Sequence, residues 1–341
     1  MSLLRPLLIL WIAVLTFPAG AASASDASAS ATATMRVLIA SSKALHADVS
    51  AFRTVRKRFE CVALIGSRAE VIAQAGGSAT VLVDIDATGT LPVTHAACGF
   101  PSHWLVRLRE HSGRWQAERV WMPESDVAAR IAAASDQSAR LSILEEQPRY
   151  VTPELARSLA ERGSVLLSQS KSPQEVADLA EAALTIAEET RSPNERARAL
   201  VLLGRSFDRR EQFTTAMALY QRARGIAEKT GDVALIASAL SCVAAGRDRL
   251  GQPAVEEASE AYRLAKLVGD DRVAGASLYL LGVDDEYSGR YGDAIEKYTE
   301  TARRAKRCGE RLLEAVATAQ TGVAYGYIGN RALAYEFMDR G

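Results

Sequence analysis

The sequence predicts a mostly α-helical protein in which an α–α superhelix follows a small α+β module with an antiparallel sheet. Small residues recur at offsets of 0, +12, +19, +23 and +27 within a unit, and successive units begin 38 to 40 residues apart. Apolar residues in these units follow the period of about 3.6 that is typical of helices. Between residues 61 and 121 the period falls to about 2, which favours strands.

The repeated unit is a pair of helices. The small residues that define it are Gly204, Ala216, Ala223, Ala227 and Gly231; Cys242, Ala254, Ala261, Ala265 and Gly269; Gly282, Ala294, Thr301, Ala305 and Gly309; and Gly322 with Ala334. Two antiparallel helices approach closely only where one offers a small side chain, so large residues opposite should fill the space. The candidates are Leu203, Tyr220, Leu281 and Tyr298. A single pair cannot bury its apolar stripe alone, and neighbouring pairs should therefore stack.

Part of one unit resembles the tetratricopeptide repeat (TPR) family. The resemblance rests on Leu281-Gly282, Tyr287, Gly289-Arg290-Tyr291, Asp293-Ala294 and Tyr298. The spacing exceeds the 34 residues of that family, so the chain is similar to its longer-helix variant. The resemblance covers residues 151–341 and implies a superhelix whose first helices line a concave surface.

The first 24 residues have the pattern of a signal peptide. Arg5 supplies a positive charge, Leu7 to Phe17 form an apolar run, and small residues after Pro18 fit a cleavage site. A bilayer span takes about 20 residues, so we expect export to the periplasm or the extracellular space, with no stable membrane span after processing. Residues 25–34 are a low-complexity Ala/Ser/Thr tract, which we expect to be a flexible leader that buries nothing.

Residues 35–122 are expected to form the α+β module, with a helix at Leu45–Phe59 followed by a meander. The expected strands are Cys61–Ile65, Ala69–Ala73, Thr80–Asp86, Trp104–Glu110 and Trp115–Trp121, with turns at Gly76-Gly77 and His111-Ser112-Gly113. Trp104, Val106 and Leu108 alternate with Leu105, Arg107 and Arg109 and should form one apolar face. The final hairpin, Trp104 to Leu108 and then Gly113-Arg114-Trp115, resembles the last hairpin of the nuclear-transport-factor-2-like cone.

Residues 123–150 should be a helical connector, and residues 151–341 the repeat array. An imperfect first pair, at 155–167 and 175–190, precedes regular pairs that start near Asn194, Asp232 and Asp271. The last pair starts near Glu310, and its second helix opens at Arg331 and is incomplete. Such an open end could associate with a second copy of the chain.

The residues that usually carry chemistry form no catalytic pattern. No metal-binding histidine spacing, phosphate-binding glycine loop or nucleophile motif occurs, so we expect no enzymatic activity, no metal and no cofactor. The formal net charge is zero, which argues against nucleic-acid binding. In an oxidising compartment Cys61 and Cys98 could form a disulfide, while Cys242 and Cys308 should be buried thiols; the alternative is that all four are free.

The concave surface is the candidate binding site. Counted from the zero position of each unit, the TPR resemblance implies exposed positions at −6, −3, +1 and +4. The candidate partner-binding residues are Arg198, Val201, Arg205, Asp208, Val243, Tyr279, Val283, Glu286 and Val323. Valine stands where family members that grip a C-terminal carboxylate carry asparagine, so the expected partner is an apolar or amphipathic helix of a protein or peptide. The alternative is that these valines are core contacts between adjacent first helices.

These observations favour an exported, non-enzymatic scaffold that binds a protein or peptide. Two other functions stay open. Similar arrays form the N-terminal halves of bacterial proteins with a caspase-like C-terminal half, so the chain could be the sensor part of a larger enzyme. The α+β module could instead bind a small molecule between Trp104, Trp115 and the Leu45–Phe59 helix.

Overall fold

The computed structural model describes residues 24–40, 62–75, 77–90, 97–134, 136–169 and 172–341. The described chain divides into two compact units, and the division falls between Pro123 and Glu124. The first contains a sheet, and the second is the helical array. Most of the signal-peptide segment, the expected Leu45–Phe59 helix, Cys61 and the side chain of Cys98 lie outside the described part, so those predictions stay predictions.

The first unit contains α1 and a four-stranded antiparallel meander in the order β1-β2-β3-β4. The elements are α1 (Ala24–Ala40), β1 (Val62–Ala75), β2 (Ser78–Thr90), β3 (Ala97–His111) and β4 (Arg114–Trp121). The predicted meander and both of its turns are confirmed. The two strands expected before Gly76 are one strand, because the irregularity after Leu64 is a register shift within the β1–β2 ladder rather than a turn.

The predicted apolar face of β3 is buried. Trp104, Val106 and Leu108 are at most 1% exposed, whereas Arg107 and Arg109 are exposed. The alternation follows from the two-residue period of a strand, which points successive side chains to opposite faces.

The expectation of a flexible leader at residues 25–34 is wrong. This tract belongs to α1, and Ala27 and Ala31, one helical turn apart, are completely buried. The hydroxyl of Ser30 donates to the carbonyl oxygen of Trp115 on β4 over 3.2 Å. Alanine has the strongest helix propensity, and its small side chain lets this helix approach the sheet closely.

The second unit is a stack of helix pairs, as predicted. Its elements are α2 (Pro123–Ala133), α3 (Gln137–Glu146), a short 3₁₀ turn (Pro148–Tyr150), α4 (Pro153–Ser168), α5 (Pro173–Glu189), α6 (Pro193–Arg209), α7 (Phe213–Thr230), α8 (Val233–Arg249), α9 (Val255–Val268), α10 (Asp271–Tyr287), α11 (Tyr291–Cys308), α12 (Arg311–Tyr327) and α13 (Arg331–Arg340). The even-numbered helices from α4 to α12 are the first helices of their pairs. None of the helices in the described ranges is long and apolar enough to cross a membrane.

Local signals fix where the helices of each pair begin and end. Asp232 and Asp270 precede α8 and α10, and each side chain accepts a hydrogen bond from a backbone N–H in the first turn. The preceding second helices end at Gly231 and Gly269, which have φ values of 69° and 72°. Only glycine adopts this left-handed conformation without strain.

The predicted close approach of the two helices within a pair is confirmed. A Cβ on Gly204 would lie 2.4 Å from a ring carbon of Tyr220, and one on Gly282 would lie 2.7 Å from the ring of Tyr298. Both tyrosines are at most 2% exposed. Their rings therefore fill the space that the glycines leave.

The region expected to be a connector packs into the start of the array. Val127 and Ile131 of α2 share one hydrophobic cluster with Leu155 and Leu159 of α4. This continuity extends the core by one layer before the first pair.

Candidate functional site: a concave cleft

The first helices form the inner layer of the array. Helices α4, α6, α8 and α10 each contact the next first helix in the series, which ends at α12, in addition to their own second helices. A cleft of about 520 Å³ lies on this layer.

The cleft crosses the inner layer diagonally. It uses the C-terminal end of α4, the C-terminal half of α6, much of α8 and the N-terminal halves of α10 and α12. Its lining includes Arg205, Asp208, Tyr220, Ser238, Cys242, Asp248, Arg249, Arg272, Ala276, Tyr279, Leu280, Glu310, Leu312, Leu313 and Val316.

Three of the nine predicted partner-binding residues line the cleft, namely Arg205, Asp208 and Tyr279. Val201 and Val243 do not, because they are only 8% and 2% exposed. Val201 packs in a cluster with Leu200 and Ala239, and Val243 packs in another with Met217 and Tyr220. These two valines are therefore core contacts, which was the alternative to a partner-binding role.

The other four predicted residues lie outside the cleft lining. The guanidinium of Arg198 donates to Glu195 over 3.1 Å, and Glu286 accepts a 2.8 Å hydrogen bond from the hydroxyl of Tyr298. Val283 and Val323 are half-buried. Arg198 and Glu286 thus take part in contacts within the array.

Several lining residues were not among the predicted site residues, including Arg272, Leu280, Glu310, Leu312 and Leu313. The prediction used the same four offsets in every unit. The cleft, however, moves towards the N-terminal end of each successive first helix. A diagonal path of this kind is expected of a superhelix, in which each pair is rotated relative to the one before it.

One side of the cleft is apolar and accessible. Leu312 and Val316 of α12 are 44% and 37% exposed, and Leu280 and Leu313 are half-buried beside them in the lining. Tyr279 completes this side, with its ring centroid 5.5 Å from that of Tyr298. Burial raises the pKa of Tyr279, so the phenol stays neutral and can donate a hydrogen bond.

The cleft also carries positive charge. Arg205 of α6 and Arg272 of α10 both line it, next to the thiol of Cys242. Burial lowers the pKa of Arg205, and the positive charge of Arg272 lowers it further. Burial also raises the pKa of Cys242. This cysteine is therefore a neutral thiol at neutral pH, which is a poor nucleophile.

An aspartate and an arginine lie close together where α6 and α8 meet. The guanidinium Nε of Arg249 is 3.9 Å from Oδ1 of Asp208, and that oxygen is buried without a hydrogen bond. Burial raises the pKa of Asp208, while nearby arginines partly oppose the increase. The pKa of Asp248 is likewise raised by burial.

The described residues contain no cluster of three or more histidine, cysteine or carboxylate side chains that could hold a metal ion. Cys242 is half-buried and Cys308 is exposed, so the expectation of a buried thiol is wrong for Cys308, which is the last residue of α11. The cleft can provide apolar contact, neutral hydrogen-bond donors and positive charge. These are properties of a binding surface.

No protein-family model and no curated protein sequence matches the chain. Similar solved structures include BtubC (BKLC) from P. vanneervenii, with 17% identity, 64% of this chain and 90% of that chain covered, and a TM-score of 0.46. A Rap protein complexed with competence and sporulation factor has 17% identity, with 63% and 62% of the two chains covered and a TM-score of 0.48. A putative kinesin light chain from Podosopora anserina with nearly identical TPR-like repeats has 20% identity, 55% and 93% coverage and a TM-score of 0.37.

The repeat array is a TPR-like solenoid. This classification follows from its own geometry: antiparallel helix pairs, small residues opposite tyrosine rings, and first helices that stack into an inner layer.

Proposed function

We propose that the protein is a non-enzymatic scaffold that binds a peptide or a helical segment of a protein partner in the concave cleft. The observation that carries this proposal is the accessible apolar side of the cleft, where Leu312 and Val316 remain 44% and 37% exposed in a concave position. Apolar groups in a preformed cleft gain free energy when a partner removes them from water.

The cleft lining combines apolar and charged side chains, which favours an amphipathic partner. Apolar side chains of the partner would contact Leu280, Leu313 and Val316, and its polar side chains would face Arg205 and Asp208. Because the helices that form the cleft are already ordered, little conformational entropy is lost on the scaffold side when a peptide binds.

The test is a peptide-binding experiment with matched variants. Peptides selected from an array of short synthetic sequences are titrated against the wild-type protein and against Val316→Asp, which introduces a charge into the apolar side. The control is Leu267→Asp, at a 57% exposed position of α9 that does not line the cleft. Both changes are at exposed positions, so circular dichroism should show unchanged helicity.

The expected result is a loss of affinity of at least about tenfold for Val316→Asp, since a charge buried against apolar groups is costly, and no loss for Leu267→Asp. Equal affinities of the two variants would show that the selected peptides bind elsewhere. Val283→Asp locates the alternative site, because Val283 lies on α10 but outside the cleft lining. A loss confined to Val283→Asp would assign binding to the surface predicted from the sequence offsets.

Of the two other functions, the small-molecule site in the sheet unit has less support. Trp104 and Trp115, which were expected to line its pocket, are only 1% and 9% exposed. A regulatory role for a catalytic domain is compatible with the same cleft, since a sensor also needs a ligand.

Export of the protein remains part of the proposal and rests on the sequence of its first 24 residues. Mass spectrometry of the protein from culture medium or periplasm should find a mature N-terminus at Ala22 or Ser25, after the motif Ala19-Gly20-Ala21 or Ala22-Ser23-Ala24. An unprocessed Met1 in the cytosolic fraction alone would contradict export. Self-association through the last pair stays a prediction that light scattering can test.

A further inference from the structure

Two half-buried arginines of the cleft have no partner among the described residues. Arg205 and Arg272 line the same cleft from α6 and α10, and across the described residues neither guanidinium takes part in a hydrogen bond or an ion pair. Glu310 and Asp208 also line the cleft. The negative charge of Glu310 acts to raise the pKa of Arg205, and the positive charge of Arg205 acts to lower the pKa of Asp208. Neither carboxylate, however, approaches the two guanidinium groups closely enough to form a salt bridge.

Other partly buried cations of the array are paired. Arg157 donates to Glu195 over 2.6 Å, and Arg304 donates to Asp271 over 2.8 Å. A guanidinium has five N–H donors, and two of them can form parallel hydrogen bonds to the two oxygens of one carboxylate. Placing one away from bulk water without an acceptor is unfavourable, and a second positive charge nearby increases the cost. Arg205 bears both costs, since burial and the charge of Arg272 lower its pKa.

The cleft lining contains one more positively charged side chain than negatively charged ones. Four arginines line the cleft, namely Arg205, Arg209, Arg249 and Arg272, against the three carboxylates Asp208, Asp248 and Glu310. Asp208 is nearest to Arg249, at the junction of α6 and α8. Arg209 also makes no ion pair with a described residue, but its side chain is exposed to solvent, whereas Arg205 and Arg272 are half-buried. The half-buried positive charge without an acceptor therefore lies at Arg205 and Arg272.

We infer that Arg205 and Arg272 bind the side-chain carboxylate of an Asp or Glu within the partner peptide, whose neighbouring apolar side chains occupy the α12 side of the cleft. This inference rests on the proposed function, because it specifies the peptide that the same cleft binds.

The position of the arginines favours a side-chain carboxylate within the peptide. The lining continues beyond them in both directions, to Leu167 and Ser168 at the end of α4 and to Leu313 and Val316 on α12. A peptide that follows the cleft therefore passes the two arginines and does not have to end there. Bidentate contacts with a planar carboxylate would supply the acceptors that both guanidinium groups lack.

The experiment compares three peptide sets that are identical except at one fixed central position, which is Glu, Gln or phosphoserine. Affinities are measured by fluorescence polarisation for the wild-type protein, Arg205→Gln, Arg272→Gln and Val316→Asp. The control is Arg303→Gln, at an exposed arginine of α11 whose side chain is 66% accessible. Thermal unfolding of each variant reports whether it is folded.

We expect Glu peptides to bind the wild-type protein at least about tenfold more tightly than Gln peptides, because Gln cannot form the charged hydrogen-bonded pair with the arginines. This preference should disappear in Arg205→Gln and in Arg272→Gln and persist in Arg303→Gln. Both variants should remain folded, because neither guanidinium makes a hydrogen bond or an ion pair with a described residue.

Failure of the inference differs from failure of the proposed function. If peptides bind, depend on Val316 and show no preference for Glu over Gln, the carboxylate site is wrong and the cleft function stands. If phosphoserine peptides bind about tenfold more tightly than Glu peptides, the occupant is a phosphorylated segment and the carboxylate assignment is overturned. If no peptide depends on Val316, the proposed function fails, and the inference fails with it.

Discussion

The two halves of α6 use their charges in opposite ways. In the N-terminal half Glu195 is 2% exposed and accepts hydrogen bonds from both Arg157 of α4 and Arg198 over 2.6 to 3.1 Å. In the C-terminal half Arg205 has no partner among the described residues, and Oδ1 of Asp208 is buried without a hydrogen bond. The charges of the N-terminal half join neighbouring first helices, whereas Arg205 and Asp208 line the cleft.

The difference separates structural charges from charges that are available to a ligand. Burial alone would lower the pKa of Arg157, but the attraction and hydrogen bonds of Glu195, together with the negative charges of Glu154 and Glu161, outweigh burial and raise it overall. For Arg205 nothing outweighs burial, and its pKa is lowered. Removing Arg157 should therefore damage the fold, and removing Arg205 should damage binding alone.

The largest effect on stability is expected from Arg157→Gln. It leaves Glu195 buried with only one of its two arginines, and breaking a buried pair costs about 3–5 kcal/mol. Urea unfolding followed by circular dichroism measures the change. Arg303→Gln, which removes an exposed ion pair with Glu300, should change the free energy of unfolding by less than about 1 kcal/mol. Equal losses in both variants would remove the distinction between the two classes of charge.

Gly204→Ala tests whether packing, rather than charge, holds the C-terminal half of α6. The new methyl group would lie 2.4 Å from the ring of Tyr220, and such overpacking costs about 1–3 kcal/mol. The matched control is Gly225→Ala in α7, where an added Cβ meets no atom within 4 Å. That change should increase stability by about 0.5–1 kcal/mol, because alanine favours a helix interior. A stable Gly204→Ala would show that the Tyr220 ring can move.

Asp208→Asn should change how stability depends on pH. Burial raises the pKa of Asp208 above its ordinary value of 3.8, so the folded state holds its proton more tightly than the unfolded state does. The carboxylate therefore reduces stability as pH rises above 3.8 through the folded pKa. Asp208→Asn lacks this loss, so its stability relative to wild type should increase as pH rises from 4 to 7. A relative stability that instead decreases over this range would reverse the assigned direction.

Arg205→Gln should have the smallest effect on folding. Its guanidinium makes no ion pair or hydrogen bond with any described residue, so we expect the free energy of unfolding to stay within about 0.5 kcal/mol of wild type or to increase slightly as repulsion from Arg272 is removed. Thermal unfolding without peptide gives the measurement. A destabilisation comparable to that of Arg157→Gln would mean that Arg205 is structural.

Much of the array could be predicted from the sequence because its signals are local. Small residues at fixed offsets identified Gly204 opposite Tyr220 and Gly282 opposite Tyr298, and glycine before aspartate marked the boundaries between pairs. Such signals depend only on residues within one unit, and they do not require knowledge of how units are rotated relative to one another.

The cleft could be predicted only in part because it depends on that rotation. Arg205 and Arg272 stand at offsets +1 and −10 of units that are not adjacent in sequence, so no fixed set of offsets brings them together. Val201 and Val243 were placed on the surface by the same rule, whereas adjacent helices cover them. The helix at residues 24–40 was missed because residues 25–34 contain no large apolar residue, although alanine suffices for close packing on a sheet.

The boundaries of the third pair have a genetic consequence. Gly231-Asp232 and Gly269-Asp270 stand 38 residues apart, and both combine a left-handed glycine with an aspartate that caps the next helix. An in-frame deletion of residues 232–269 would join Gly231 to Asp270 and recreate the same dipeptide. Recombination between such units can therefore shorten or lengthen the gene without creating a junction that the backbone has not already used.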